Sequence, residues 1–394
     1  MDVFQSLQSP ASEPILTVGM HTSGEPTRIV IRGVDPLLRG ERLLDKRDDA
    51  KARHDHLRKR IMWEPRGHDN MYGAILVRET ELTRTGTAHI GVLFCHNEGY
   101  STMCGHATMA LGRFLVDTLD KDTFAGRSSL KHDSTTSITQ VNLHAPCGLV
   151  RISVPTTLDS ASNRILYDQS RHVSFLSVPS FASAIDLTIK IPDEYRWPEL
   201  AEREEITFDV SYGGAFYVFV TGPQLGFPTG LRGASLTALD HATLQLKKLV
   251  ADKYKETHKH PTEPQLSLLY GVFVVDTEVH KDETGLCFYA DQAIDRSPTG
   301  SGVGARIALA YAKGKIGLNQ PKKYHSIVTL ASAQPDEDAF VGEAVEEVEI
   351  EGTGGKKGVV VKTSGRAYYT DAAAYTAEKD DYLSSSGFRV QLPQ

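Results

Sequence analysis

Two segments of this chain, far apart in the sequence, could each supply a reactive side chain at the start of a helix. Residues 103–115 place Cys104 before a glycine and an Ala-containing amphipathic stretch, and residues 298–310 place Thr299 in the same way. Such a repeat suggests a duplicated fold in which two helix starts face one substrate. One start carries a thiol and the other a hydroxyl, and we expect this difference to decide the reaction.

The segment around Cys104 has the pattern of a strand, a turn and a helix. Residues 89–95 are largely apolar, as in a buried strand, and residues 96–100 are polar, as in a turn. After Cys104, apolar residues recur with helical spacing. Cys104 is therefore expected at a helix N-terminus, where unpaired N–H groups and the positive end of the helix dipole favour a thiolate. The same N–H groups can bind a substrate carboxylate.

The second segment repeats this organisation. Residues 285–290 resemble a strand, residues 295–298 form the turn, and a helix is expected from about Thr299. Gly300, Gly302 and Gly304 allow the backbone to approach a ligand closely. The run does not match the layout of a phosphate-binding loop, so nucleotide binding is not expected.

Local alternatives exist for several of these residues. His106 could be a packing residue, and Asp295 could be only an anion that favours the following helix start. Cys95, Cys147 and Cys287 are expected to be small buried hydrophobic residues. A zinc cluster of Cys95, His96, Cys104 and His106 lacks the spacing of known short-loop zinc sites, so no metal is expected.

Length and composition limit the class of protein. The chain has 394 residues, more than one core usually holds, and a net charge of −7 with mixed signs. We predict a first lobe over residues 1–200, to which 366–394 return, and a second over 201–365. No nucleic-acid partner, secretory signal or membrane span is expected, and four scattered cysteines fit a reducing, cytoplasmic location.

Periodicity predicts further elements. Residues 45–62 are highly charged and predict a solvent-exposed helix, and residues 236–254 predict an amphipathic helix. Residues 255–263 are expected to form a loop and residues 352–358 a turn. Strands are predicted at residues 15–19, 27–31, 72–77, 91–95, 148–154, 173–178, 206–220, 272–279, 285–289, 327–331, 344–351 and 358–362.

The two chemical segments, taken together, resemble the proline racemase family. The resemblance rests first on Met103-Cys-Gly-His106 and on Asp295-Arg-Ser-Pro-Thr-Gly300. Each motif alone is weak evidence, but the set is specific because it follows the family's order along nearly the whole chain. Further matching segments are residues 21–28, 64–68, 71–74, 97–100, 173–175, 178–181, 212–216 and 365–368.

The resemblance implies a fold, an assembly and a substrate class. The expected fold is α/β and similar to diaminopimelate epimerase. It has two pseudo-symmetric lobes, each a curled β-sheet around a central helix, with the active site in the cleft between them. The family implies a small-molecule substrate, proline or a hydroxyproline, no cofactor, and a homodimer as the expected assembly.

The racemases of this family use two cysteines, whereas this chain has Cys104 and Thr299. A thiol, with an ordinary pKa of about 8.5, can both accept and return a proton. An alkyl hydroxyl cannot do so without an activating base. Within the family, the Cys–Thr pairing resembles the members that dehydrate trans-3-hydroxy-L-proline, a reaction that removes only one α-proton.

The resemblance also implies roles for the site residues. Cys104 would take the α-proton, which shares a face with the departing 3-hydroxyl, and the enamine would become Δ1-pyrroline-2-carboxylate. Thr299 would orient the substrate or help a proton reach the enamine. Other roles are implied as follows: the N–H groups of Gly105, His106, Gly300 and Ser301 hold the carboxylate, Asp295 and the His106 ring bind the ring nitrogen, and Tyr289 forms an aromatic wall.

Two other functions compete with dehydration. The chain could be an isomerase that racemises proline or epimerises hydroxyproline at C2, with Thr299 or water donating the second proton. It could also be a non-catalytic amino-acid-binding protein that has lost its second cysteine. Product identity separates the first two possibilities, and α-proton exchange in heavy water tests the third.

Overall fold

The computed structural model describes residues 14–162, 164–378, 380–383 and 385–390. These residues form two compact units. The first unit runs up to Thr102, continues from His106 to Val173 and resumes at Arg366, and the second contains Met103–Gly105 and Ser174–Gly365.

The second unit begins at Ser174, earlier in the chain than the boundary predicted at 200/201. The reason is strand pairing. Phe181–Lys190 pairs antiparallel with Glu205–Tyr212, so residues 181–190 belong to the second unit's sheet.

The chain up to Tyr167 supplies nine strands among the described residues. They are β1 (Ile15–Thr22), β2 (Glu25–Arg32), β3 (Gly73–Val77), β4 (Ile90–Cys95), β5 (Tyr100–Ser101), β6 (His132–Asp133), β7 (Ile138–Ala145), β8 (Gly148–Leu158) and β9 (Ile165–Tyr167).

The chain from Val173 onward supplies the remaining strands of the described residues. They are β10 (Val173–Leu176), β11 (Phe181–Lys190), β12 (Glu205–Tyr212), β13 (Phe216–Thr221), β14 (Leu269–Asp276), β15 (Glu283–Tyr289), β16 (Ala293–Ile294), β17 (Lys322–Ser326), β18 (Phe340–Glu349), β19 (Lys357–Gly365) and β20 (Ala367–Tyr375).

The helices alternate with these strands along the chain. The α-helices are α1 (Leu43–Arg53), α2 (Asp55–Met62), α3 (Glu81–Arg84), α4 (Gly105–Asp117), α5 (Leu236–Lys253), α6 (Gly300–Ala312), α7 (Ile327–Leu330) and α8 (Pro335–Asp338). Short 3₁₀ helices occupy Asp35–Leu37, Ala125–Ser129, Asp193–Tyr195, Pro198–Leu200, Gly222–Leu225, Lys255–His258 and Pro264–Leu266.

In the first unit, mixed strand pairing forms a sheet behind α4. Strand β1 pairs antiparallel with both β2 and β20, β2 pairs parallel with β3, and β4 pairs parallel with β7. Helix α4 is buried on nearly every side, which its run of small and apolar residues permits. A Cβ at Gly112 would lie 2.6 Å from Ile152 on β8, so glycine lets the helix pack directly on the sheet.

In the second unit, α6 occupies the corresponding central place. All residues from Gly300 to Leu309 are buried. A Cβ at Gly213 would lie 2.2 Å from the Ser301 carbonyl oxygen, so the chain before β13 runs directly against this helix. Helix α5 covers another face of the sheet and buries Leu239, Leu246 and related residues in the core.

The prediction for residues 45–62 was right about the helical conformation but wrong about a single, solvent-exposed helix. The structure has two helices that meet at His54, and α2 buries Leu57, Ile61 and Met62 against the sheet. Arg58 is only 1% exposed, and its guanidinium bonds to Asp55 and to two backbone carbonyls. The high charge of the segment therefore concealed a buried face.

The prediction of a strand over residues 327–331 was also wrong. The Ser326 hydroxyl accepts a hydrogen bond from the Thr329 N–H at 3.1 Å and starts the short helix α7. Its β-branched residues Ile327 and Val328 are exposed rather than paired in a sheet. In this case the N-terminal capping hydroxyl outweighs β-propensity. Eight strands of the described residues were not predicted: β5, β6, β7, β9, β11, β16, β17 and β20.

In the part of the chain that the structure describes, no helix combines the length and the apolar character needed to cross a lipid bilayer.

Candidate active site

The second unit brings the two chemical segments together at the backbone. Cys104 is 4% exposed, and Gly105, the first residue of α4, lies against the start of α6. A Cβ at position 105 would lie 2.4 Å from Gly300 Cα and 2.9 Å from the Ser301 nitrogen. Real Cβ atoms do not approach so closely, so this meeting of two helix starts requires glycine.

The start of α6 has the features of an anion site. A helix leaves its first backbone N–H groups without intrahelical partners, and the helix dipole adds positive potential there. Helix α6 has 13 residues and no acidic residue in its first turn. Helix α4, also 13 residues long with no acidic first-turn residue, begins beside it at Gly105. Two such ends can together hold a carboxylate.

Thr299 occupies the N-cap position of α6 in a strained conformation. Its φ is +60° and its ψ is 94°, an arrangement that is unusual for a β-branched residue. The Thr299 N–H donates to Ser297 Oγ at 3.1 Å, and the Thr299 carbonyl accepts from the Val303 N–H at 2.7 Å. These bonds hold a conformation that costs roughly 1–3 kcal/mol and that clusters at functional sites.

The Thr299 hydroxyl points into a buried polar environment. Its Oγ1 makes no hydrogen bond of normal geometry with the described residues. It nevertheless lies near enough to the Asp295 carboxyl and the Cys287 thiol to oppose the rise in the pKa of each. Among the described residues, therefore, no arginine, lysine or histidine forms a hydrogen bond of normal geometry with the Thr299 hydroxyl.

Asp295 is a buried carboxyl with an elevated pKa. Its Oδ1 accepts from the Ser297 N–H at 2.8 Å and from the Ser297 hydroxyl at 2.7 Å. Burial raises the pKa of Asp295 to about 6, and hydrogen bonds from Ser297 and Thr299 oppose the rise. Near pH 7 the carboxyl is therefore mostly ionised and can bind a cationic nitrogen.

Tyr217 belongs to the same site, although it was not predicted from the sequence. Its hydroxyl shares a hydrogen bond of 2.8 Å with Ser301 Oγ. Burial raises the pKa of the Tyr217 hydroxyl far above its ordinary value. The proximity of Cys287 raises this pKa further, and Asp295 and Cys104 add to the rise. The available signal was its position directly after residues 212–216, one of the segments that match the family.

An aromatic group borders this region. Tyr289 stacks on Tyr270 with ring centroids 5.4 Å apart, and Tyr270 meets Tyr217 edge-on at 5.7 Å. Tyr289 is 2% exposed. The role of Tyr289 as a pocket wall stays a prediction.

Three other cysteines were expected to be small buried hydrophobic residues. Cys287, near these aromatic rings, and Cys95, elsewhere in the chain, are buried, but Cys147 is only half-buried.

His106 lies in the first unit and is 3% exposed. Its ring meets Tyr72 edge-on at 4.8 Å, and its main-chain carbonyl accepts from the Thr22 hydroxyl at 2.9 Å. Burial lowers the pKa of the imidazole to about 3, and a hydrogen bond to the Pro26 backbone opposes the fall. A neutral imidazole that donates to a carbonyl presents an acceptor on its other nitrogen.

The four side chains of the zinc alternative do not form a ligand set. In the described ranges, the group whose ligand atoms are close enough to share an ion is His280, Asp282 and His325. Cys95, His96, Cys104 and His106 are not part of it.

The sequence of this chain is similar to known proteins along nearly its whole length. The profile of the proline racemase family matches residues 17–389. The chain is 40% identical over 380 residues to the human trans-3-hydroxy-L-proline dehydratase, covering 95% of this chain and 94% of that one. A trans-L-3-hydroxyproline dehydratase of Pongo abelii is 41% identical with the same coverage, and a trans-3-hydroxy-L-proline dehydratase of Colwellia psychrerythraea is 35% identical over 365 residues, 92% of this chain and 89% of that one.

Solved structures agree on the fold. A probable proline racemase from Agrobacterium radiobacter superposes with a TM-score of 0.75 at 23% identity, covering 95% of this chain and 96% of that one. A hydroxyproline epimerase from Agrobacterium vitis gives the same TM-score at 20% identity, covering 96% of each chain. At these identities the likeness concerns the fold alone, and it confirms the predicted α/β fold class.

Proposed function

Because the chain belongs to the proline racemase family, we propose that it is a hydro-lyase that dehydrates trans-3-hydroxy-L-proline to Δ1-pyrroline-2-carboxylate. The observation that carries the proposal is Thr299 at the start of α6, in the place that corresponds to Cys104 at the start of α4. The relatives named as dehydratases support the same reaction. A thiolate and a carboxylate-binding cradle suffice for it, so the proposal invokes neither a metal nor an organic cofactor.

The substrate carboxylate is proposed to bind at the two helix starts. The backbone N–H groups of Gly105, His106, Gly300 and Ser301 are the proposed donors. Donors placed there bind the carboxylate in the ground state and gain strength as the α-carbon loses its proton, because negative charge then spreads onto the carboxylate. The glycine-only approach of residue 105 to Gly300 supports a cradle built from backbone.

Cys104 is proposed as the base. Its thiolate removes the α-proton, and the electron pair of the C–H bond forms the C2–C3 double bond as the C3–O bond breaks. In the trans isomer the α-hydrogen and the 3-hydroxyl lie on the same face. The resulting thiol can therefore return the proton to the departing oxygen, which leaves as water. The enamine then tautomerises to the cyclic imine.

Thr299 is proposed to orient the substrate or to help a proton reach the enamine. Its hydroxyl is buried near two titratable groups, the Cys287 thiol and the Asp295 carboxyl. Burial raises the pKa of the Cys287 thiol well above its ordinary value and keeps it protonated, whereas the pKa of Asp295 is about 6. A carboxylate of that basicity cannot maintain a threonine as its alkoxide. Thr299 therefore does not supply the second proton-exchanging group that racemisation needs.

Asp295 and His106 are proposed to bind the ring nitrogen. Asp295 is mostly ionised near neutral pH and would accept from the cationic secondary amine. His106, whose low pKa keeps it neutral, would act as an acceptor rather than as a competing cation. Tyr289 is proposed to form part of the pocket wall, beside Tyr270.

The isomerase alternative is tested by the products. Purified protein, dialysed against a chelator, is incubated with L-proline, trans-3-hydroxy-L-proline and both 4-hydroxyproline epimers. Our proposal predicts an imino acid from the 3-hydroxy substrate, which borohydride reduces to proline. Inversion at C2 of proline or 4-hydroxyproline, without loss of water, would establish the isomerase instead.

The binding-protein alternative is tested in heavy water. A protein that only binds these amino acids leaves the α-hydrogen in place, whereas an active thiolate removes it. We also propose that the enzyme is a cytoplasmic homodimer. The free state of all four cysteines supports a reducing compartment, and sedimentation and cell fractionation test the two statements.

A further inference from the structure

A second cluster of ligand-type side chains lies in the second unit and has no part in the proposed reaction. His280, Asp282 and His325, hereafter the His280 cluster, have ligand atoms that all lie within 4.8 Å of one another. Asp282 Oδ2 is 3.9 Å from His280 Nδ1 and 3.9 Å from His325 Nε2. The rings of the two histidines meet edge-on with centroids 4.6 Å apart.

His325 is the unusual member of the cluster. It is 0% exposed, and neither ring nitrogen has a hydrogen-bond partner among the described residues. It lies on β17, opposite Thr284 of β15 in a parallel pair, so the sheet fixes its backbone. Leaving a buried polar nitrogen unsatisfied costs roughly 1–3 kcal/mol, and a metal ion would satisfy one of the two.

The charged side chains near the cluster leave the Asp282 carboxylate available to an ion. The two neighbouring lysines do not neutralise Asp282, because Lys323 and Lys281 pair with Asp336 at 3.3 Å and 4.0 Å.

The other two ligands are accessible to solvent. The side chains of His280 and Asp282 are 28% and 26% exposed, which leaves a path for an ion. His280 Nδ1 at present accepts the Asp282 N–H at 3.2 Å, and this contact would be exchanged for a metal bond.

We propose that the His280 cluster binds one Zn²⁺ ion through two imidazole nitrogens and one carboxylate oxygen. Such a donor set suits zinc and similar transition metals better than Mg²⁺ or Ca²⁺. A tetrahedral zinc with bonds of about 2.0–2.2 Å places its ligand atoms roughly 3.3 Å apart. The two distances of 3.9 Å from Asp282 to the histidines therefore need a contraction of roughly 0.6 Å. The distance between the two histidine nitrogens, which is within 4.8 Å, must close to the same value, and water takes the fourth position.

The bound ion would join two parts of the second unit. His280 and Asp282 lie in the turn between β14 and β15, and His325 lies near the end of β17. The ion would hold the turn against β17 and slow amide exchange in residues 277–282. The site is separate from the proposed active site, and zinc binding there does not depend on the proposed dehydratase activity.

The test is zinc binding by the full-length chain after chelator treatment. Isothermal titration calorimetry with Zn²⁺ compares the wild type with His280→Asn and Asp282→Asn, which change the exposed ligands and preserve the core. His241→Gln is the matched control, since His241 is an exposed histidine of the same unit whose ring shares a hydrogen bond of 3.2 Å with Gln245. Loss of a true ligand should weaken binding by more than the roughly 10- to 100-fold seen when an outer-shell partner is lost.

One zinc per chain, weakened by both ligand variants and unchanged in His241→Gln, is the expected result. Slower hydrogen exchange in residues 277–282 with zinc should accompany it. Absence of binding at micromolar zinc, or equal affinity in the wild type and both ligand variants, overturns the proposal. Dehydratase activity is measured separately, so failure of the zinc site leaves the proposed reaction standing, and the converse also holds.

Discussion

Asp295 should make the folded protein less stable as the pH rises from about 4 to about 6. Its pKa is about 6 in the folded chain, against 3.8 for an ordinary aspartate, because the carboxyl is buried. A raised pKa means that the folded state holds the proton more tightly than the unfolded state does. The associated stability is therefore complete below the unfolded pKa and is lost as the pH rises through the folded pKa.

The size of the effect follows from the same shift. A difference of about 2 pKa units, at 1.36 kcal/mol each, gives about 3 kcal/mol. Asp295→Asn removes the titration but keeps an oxygen that can accept both hydrogen bonds from Ser297. The variant's stability relative to wild type should therefore increase by about 3 kcal/mol between pH 4 and pH 7. It should also lose turnover, because its side chain cannot bind the substrate cation as an anion.

Urea unfolding at several pH values measures this difference. The two tryptophans report on separate units, since Trp63 lies in the first and Trp197 in the second. The Trp197 signal should carry the effect. Asp193→Asn, at an exposed aspartate of the second unit, is the control and should show no comparable dependence. A stability difference between Asp295→Asn and wild type that stays constant from pH 4 to pH 7 would refute the reasoning.

Substitutions at Cys104, Thr299 and Gly105, with Gly304→Ala as a control, test other parts of the proposal. Cys104→Ser should lower kcat by at least the roughly 10²–10⁴-fold attributed to a positioned base, while substrate binding, measured by calorimetry, should change little. Near-normal turnover in this variant would remove Cys104 from the mechanism. Thr299→Cys should introduce measurable C2 inversion by chiral chromatography, while Thr299→Ala should retain part of the dehydratase activity; complete loss in Thr299→Ala would make the hydroxyl an obligatory relay. Gly105→Ala should lower the free energy of unfolding in urea by about 1–3 kcal/mol or more, because the added Cβ would lie 2.4 Å from Gly300. The control Gly304→Ala, whose Cβ would have its nearest contact at 3.7 Å, should leave this free energy unchanged or raise it by up to about 1 kcal/mol.

The helix starts of the site were predictable because their signals are local. A turn, a reactive residue, a glycine and then helical periodicity all lie within a short window around Cys104 and again around Thr299. The structure has helices from Gly105 and Gly300, as this pattern predicts. The distance between the two helix starts depends on the packing of remote strands, and no local signal could supply it.

Residues that contribute through tertiary contacts were missed for the same reason. Tyr217 reads in the sequence as one apolar strand position among others, and only the folded chain places its hydroxyl on Ser301. The charged segment around Arg58 read as exposed, because the carbonyls that satisfy its guanidinium come from residues nearly 40 positions away. Ser326 did carry a local signal, a capping hydroxyl three residues before Thr329, but β-branched neighbours obscured it.

The central claim is that this chain eliminates water and does not invert C2. The direct test is a time course in heavy water with trans-3-hydroxy-L-proline and L-proline in parallel samples, followed by ¹H NMR and by chiral chromatography. We expect ¹H NMR to show the 3-hydroxy substrate disappearing as Δ1-pyrroline-2-carboxylate forms, and chiral chromatography to show L-proline with its configuration unchanged. Efficient conversion of L-proline to its D-enantiomer, with Thr299 in place and the 3-hydroxy substrate left intact, would contradict it.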